Sequence, residues 1–281
     1  MQRYTVEGTH WALHTTGLHD ALSVAGEAAA VSPADVTLHS RELSEWTEFF
    51  ASPTFEDAAE LAQNGWPEGR REMAERFDTL QIAQTAEDTG AYSWETEGSF
   101  FDLGQLLSGE PEHWLHEERE PRRRVWQITV NVAASNKVTQ ATIMNRGAAV
   151  LALVDALQGA GDIVELHVVA SARDWSKSIG RNILTTIPLG VTPLDMGTAA
   201  YALAHPSMLR RIILGCMEYA SPGKVKSAYG KPCDPEGPEY RDDLGAGKIY
   251  LGALTSKDQH FPTPEAAAGW LNAKVSAINA L

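Results

Sequence analysis

Val125-Trp126-Gln127-Ile128-Thr129-Val130-Asn131-Val132-Ala133-Ala134-Ser135 reads as a strand that is apolar on both faces. Its β-branched and aromatic residues suit a central position in a sheet covered by other elements. Behind it, Ile143, Ala148, Leu151, Val154 and Leu157 recur at helical spacing within Thr139–Leu157, and Gly159-Ala160-Gly161 stops the run. Ile163–Ser171 is an almost unbroken apolar run and predicts a second strand, with Asn182–Leu189 a third. Strand, helix and strand in succession predict an α/β fold: an open, mostly parallel sheet with helices on both faces.

Downstream, Pro193 to Ala204 reads as a helix, and Leu209–Met217 as either its continuation or a strand. Residues 220–246 form a Gly/Pro-rich acidic loop. Lys248–Leu254 predicts a further strand, and Thr263 caps a closing helix that runs to about Ala280.

Upstream, residues 1–35 have weak periodicity and imply only short strands or helices. Ser40–Phe50 places Leu43, Trp46, Phe49 and Phe50 on one helical face. Thr54, with Asp57 three residues on, opens a second helix that Asn64-Gly65 ends. Pro67 suits the first turn of a third helix, reaching about Gln84. The Gly65-Trp66 corner is either a functional motif or a tryptophan packed at a tight turn. Residues 85–124 are acidic yet hold Tyr92, Trp94, Phe100, Phe101 and Trp114, more rings than a solvated linker carries. They read as an excursion pinned by those rings, with a short helix or turn at Asp102–Leu107, or as a docking surface. The expected organisation is a helical layer over 1–84, the excursion over 85–124, and an α/β domain over 125–281.

The central stretch resembles the von Willebrand factor A family, and the open sheet is equally Rossmann-like. In that family the first strand ends in Asp-x-Ser-x-Ser, and a later threonine and a further aspartate complete an oxygen site for a divalent cation. Here Asn131 stands at the first aspartate, Ala133 at the first serine and Ser135 at the second, while Gly190-Val191-Thr192-Pro193-Leu194 resembles the threonine loop. Glu218, two residues late, is the nearest candidate for the final acid. The resemblance implies a metal set of Ser135, Thr192 and Glu218. Asn131, Ser135 and Thr192 bring no formal charge, and Mg²⁺ usually requires at least one carboxylate. The reading is therefore a degenerate site without a metal, and Mg²⁺ is the ion to test. Asn131, Ser135, Thr192 and Asp195, with Arg210 and Arg211, are the expected binding residues. Three segments, Asn64–Gly69, Leu107–Pro111 and Ala204–Arg211, resemble uncharacterised proteins of bacteriophages and mobile elements.

No Gly-x-Ser-x-Gly, phosphate-binding loop, His-Glu-x-x-His or paired-cysteine pattern occurs. The first expectation is a non-enzymatic protein-interaction module, in a phage acting in virion assembly or host takeover. The alternative is a small-ligand or nucleotide binder, or a hydrolase using His205 with Asp195, in which Arg210 or Arg211 clamps an anion. Thirty-seven acidic against 23 basic residues give a net charge of −14, which repels phosphate backbones, so nucleic acid is a poor partner. A protein partner is expected, and a homo-oligomer is compatible with the sequence. Cys216 and Cys233 fit a reducing compartment. Met1-Gln2-Arg3-Tyr4 opens no signal peptide. Apolar runs stop short of the ~18 residues a membrane span requires. These features predict a soluble cytoplasmic protein.

Overall fold

The computed structural model describes residues 4–7, 10–31, 51–78, 92–95, 100–101, 114–117, 123–135, 137–174, 181–191, 193–220 and 231–281. The predicted Ser40–Phe50 helix, the Asp102–Leu107 turn and Thr192 lie outside them. In chain order the elements are β1 (Tyr4–Glu7), β2 (His10–His14), α1 (Leu18–Val31), α2 (Phe55–Asn64), α3 (Pro67–Asp78), β3 (Tyr92–Glu95), β4 (Phe100–Phe101) and β5 (Trp114–Glu117). They continue with β6 (Val125–Asn131), α4 (Gln140–Gly159), β7 (Ile163–Asp174), β8 (Arg181–Val191), α5 (Met196–Ala204) and a π-helical segment (Met208–Ile213). That segment runs into α6 (Leu214–Ala220), and β9 (Lys231–Pro232), β10 (Lys248–Leu251) and α7 (Pro264–Asn279) follow.

Local chemistry sets the helix ends. Thr54 and Asp57 form a reciprocal capping box, with the Asp57 N–H donating to Thr54 Oγ1 (3.1 Å) and the Thr54 N–H to Asp57 Oδ2 (2.9 Å). Gly65 then turns the chain at φ +80. Its Cα side faces Gly197 so closely that a Cβ would stand 3.0 Å from the Gly197 carbonyl carbon. Trp66 donates its N–H to Gly197 O (3.1 Å), so this corner is a packing joint between α2, α3 and α5. Thr139 caps α4 by accepting from the Thr142 N–H (3.2 Å), and Thr263 caps α7 by accepting from that of Ala266 (3.3 Å).

The main sheet is open, with strand order β1-β2-β8-β7-β6-β10 and β9 added on β7. Along the run β2-β8-β7-β6-β10, three pairings are parallel and one, β7 with β8, is antiparallel. The fold is thus α/β with a mostly parallel sheet and helices. Trp126, Ile128 and Val130 point into the core that α1, α4, α5, α6 and α7 also fill. The described helices share this one core. Over the strand ends the sheet is also met by the 231–247 loop. Cys233 donates its N–H to Ser171 O (3.1 Å) there, and the Tyr240 ring meets that of Tyr250 at 6.0 Å.

Three readings gain detail. Beside its helices, the 1–84 region contributes β2 to the main sheet, paired with β8 from His10↔Asn182 to His14↔Thr186, within the stretch where short strands or helices are expected. Leu209–Met217 is helical throughout, so the strand needed before a late acid is absent there. The short strands β3, β5 and β4 form their own three-stranded antiparallel sheet in that order, with Trp114 opposite Glu95 and Phe101.

The outer edge of β10 is closed by its own chain. Lys248 and Asp243 exchange backbone hydrogen bonds (2.8 and 3.0 Å), the Tyr250 N–H donates to Asp242 Oδ1 (2.8 Å), and Lys274 Nζ holds Asp242 Oδ2 at 2.6 Å. Among the described residues no helix is long and apolar enough to cross a membrane.

Candidate functional site

The carboxyl ends of β6 and β10 gather polar groups around Asn131, which is fully buried. Its Nδ2 donates toward Cys233 O (2.9 Å), Asp234 Oδ1 (3.2 Å) and Tyr250 Oη (3.3 Å), and its Oδ1 accepts from the Ala133 N–H (3.1 Å). Asp234 Oδ1 also accepts from the Tyr250 hydroxyl and the Ala253 N–H, each at 2.8 Å. The exposed Asp234 carboxylate is therefore locked through one oxygen. Gly252 lets it approach, since a Cβ there would stand 2.9 Å from Asp234 Oδ2. Burial and the Asp234 carboxylate raise the Tyr250 phenol well above its ordinary value, keeping it a donor, while the Asn131 contact acts the other way.

Behind this platform lies Arg146, a cation on the buried face of α4. Its Nη1 donates to Asn131 O (2.9 Å) and Gly252 O (3.2 Å), joining the ends of β6 and β10. Burial pulls its pKa down to about 10, against Asp258, Tyr250 and Asp234, which favour the charged form.

On the other side of the 132–134 turn is a small, mostly apolar cleft lined by Val132, Ala134, Ile143, Leu203, Pro206 and Leu209, with His205 and Arg210 at its border. It has room for a water molecule, far less than a metabolite needs. His205 Nδ1 accepts from the Ser207 N–H (3.2 Å) and lies 2.7 Å from the Ser207 hydroxyl, which in turn lies 3.0 Å from Tyr201 Oη. The imidazole stacks on Tyr201 and takes Trp66 edge-on at 4.7 Å. Ser207 is completely buried, so the pair is a structural knot and offers no nucleophile to a substrate.

Burial pushes the His205 pKa down to about 4. The unfolded chain then takes up a proton below pH 6.5 that the folded chain refuses. Stability present above pH 6.5 is lost progressively down to about pH 4, by on the order of 2–3 kcal/mol. Urea midpoints of the wild type and of His205→Gln between pH 7 and 4 check this. The substituted chain should lack that part of the decline, and parallel declines would refute the assignment.

The structure separates the residues expected to act together. Asn131 and Ser135 share the carboxyl edge, where the Ser135 N–H donates to Leu254 O (2.9 Å). Because β8 runs antiparallel to β7, Val191 pairs with Glu165, which is level with Gln127 near the start of β6. The chain therefore leaves β8 at the amino edge, roughly 13 Å along the strand from Asn131. Asp195 caps α5 there, its Oδ1 accepting from the Gly197 N–H (3.0 Å) and its Oδ2 from the Thr198 hydroxyl (2.5 Å). That hydroxyl contact is the main reason its pKa is lowered. Asp195 and His205 flank opposite ends of α5, so the hydrolase pairing does not form. Arg211 is buried and donates to Ser52 Oγ (3.0 Å), Ser52 O and Pro53 O (both 2.9 Å), which makes it a brace for the loop before α2 and not an anion clamp. Arg210 borders the cleft. Glu218 lies on α6, which packs against α1, away from Asn131. Ser135 and Glu218 thus share no ligand set. Among the described residues no three His, Cys, Asp or Glu side chains are grouped to hold a metal.

Sequence reasoning passed over Arg146, Asp234 and Tyr250. Arg146 had a signal: a lone cation amid the apolar residues of a core helix must be paired or functional. Asp234 had none, because a loop some hundred positions away delivers it to Asn131.

The model of a family described as a domain of unknown function, DUF7192, matches residues 4–266, from β1 into α7. No curated protein and no solved structure matches the chain.

Proposed function

We propose that this chain, which belongs to the DUF7192 family, is a non-enzymatic module that binds a protein partner through the carboxyl edge of its sheet. The observation that carries this reading is the locked Asp234 carboxylate, fixed by Tyr250, Ala253 and Asn131 and exposed to solvent. A preorganised group loses little freedom on binding, which is what recognition of a partner rewards. The neighbouring apolar cleft supplies a second contact of the opposite character. Asn131 and Ser135 at the end of the first central strand support the likeness to the von Willebrand A family; Asp195 does not. Within this proposal the setting is a phage protein acting in assembly or host takeover.

The test is affinity capture with cross-linking from the organism's own extract. Asp234→Lys should lower recovery of the captured protein tenfold or more at a temperature below its melting transition, which falls because Tyr250 and Ala253 lose their acceptor. Asp155→Ala, an exposed change on α4, should leave recovery intact. Equal recovery by the Asp234→Lys chain would place the partner surface elsewhere.

A further inference from the structure

We propose that Arg146 forms a carboxylate-binding site between the carboxyl ends of β6 and β10. The place is the carboxyl end of two adjacent parallel strands, β6 and β10, the edge at which open α/β sheets bind their ligands. Arg146 reaches into that point from α4, and its Nη1 spans the carbonyls of Asn131 and Gly252.

The second observation is independent of topology. Arg146 is 1% exposed, yet its Nε and Nη2 have no hydrogen-bond partner among the described residues. Those two groups form the edge of the guanidinium fork that takes both oxygens of a carboxylate in parallel. A charged donor left dry costs more than an ordinary unmade hydrogen bond, and such a group in a native protein points to an unplaced water or ion. Water would satisfy the donors alone. A carboxylate satisfies the donors and the charge together.

The nearby acids Asp258 and Asp234 favour the charged guanidinium, but neither carboxylate hydrogen-bonds its Nε or Nη2. Asp234 Oδ1 serves Tyr250 and Ala253, and Asp258 Oδ1 accepts from the His260 N–H (2.8 Å). The chain that carries Asp258 is exposed from Thr255 to Lys257 and again at Gln259 and His260, and Leu254 and Phe261 anchor it inward. Its hydrogen bonds at Lys257, Asp258 and His260 are local turns and the Asp258 charge acts on Arg146, so opening of this segment is the route assigned to an incoming carboxylate. This inference deepens the binding reading above by naming the chemical group that the edge accepts.

The experiment titrates the full chain with sodium acetate, and with sodium chloride at matched ionic strength, following arginine Nε–H resonances and thermal melting. Acetate should move a slowly exchanging Nε–H resonance that chloride leaves in place, and raise Tm by about 3 °C. Arg146→Lys keeps the charge and removes the fork, so it should abolish both effects. A blocked Gly-Glu-Gly peptide separates the sources. Tighter binding than acetate assigns the site to an acidic side chain of a partner, and equal or weaker binding assigns it to a small free carboxylate.

No response beyond that of chloride from either probe overturns the proposal, as does an equal response in Arg146→Lys. If the substituted chain fails to fold, the wild-type resonance titration decides alone. The titration needs no partner. A flat result alongside Asp234-dependent capture would remove the carboxylate site and leave the module reading standing.

Discussion

Gly247→Ala should destabilise the protein by about 3–5 kcal/mol. Gly247 sits at φ +68 and ψ +28, in the left-handed region, just after the 3-10 turn Leu244–Ala246. A Cβ there would lie 2.3 Å from Val125 O, a backbone atom that cannot rotate aside. Gly247 O also accepts from the Gln127 N–H (2.8 Å), so any retreat of the loop breaks the hydrogen bond that seats β10 on β6. Urea denaturation with the m-value monitored measures the effect. A loss below about 1 kcal/mol would mean that β10 is not held to β6 in this way.

Asp162→Ala should cost about 3–5 kcal/mol for a different reason. Asp162 is 4% exposed and serves three donors at the amino end of β6: the Trp126 indole (2.8 Å), the Arg124 N–H (3.1 Å) and the Arg124 side chain (Nε at 3.3 Å). Alanine leaves the indole N–H of the largest buried side chain without its acceptor and opens a void against it. Asp162→Asn keeps one carbonyl oxygen and should recover at least half of the loss. Equal losses in the two variants would show that the carboxylate charge, not the acceptor geometry, is what matters; small losses in both would show that Trp126 finds another partner.

Legibility in the sequence followed the range of the interactions. β6, α4 and β7 were readable because each carries its own apolar period, and the caps at Thr54, Thr139 and Thr263 because they are decided within three or four residues. The direction of β8 has a weaker signal: about ten residues separate the strands read from sequence and six the observed ones, whereas a parallel crossover takes a dozen or more. That one direction moves Asp195 to the far edge and dissolves the expected site. Leu209–Met217 resisted because a short apolar run suits strand and helix alike. Of the candidate site, Asn131 and Ser135 were visible through motif position, and Arg146 through its charge in an apolar helix. Asp234 depends on contacts made only once the 231–247 loop has folded back over the strand ends.

The self-closure of β10 bears on how many copies act together. A sheet grows by adding strands at an edge, and uncapped edges are how folded proteins polymerise or seed amyloid. Here Asp242 and Asp243 occupy the hydrogen-bonding row that a newcomer would need, and Lys274 tethers them. Crowding therefore gives these molecules no open strand on that flank from which to grow fibrils, however concentrated the chain becomes.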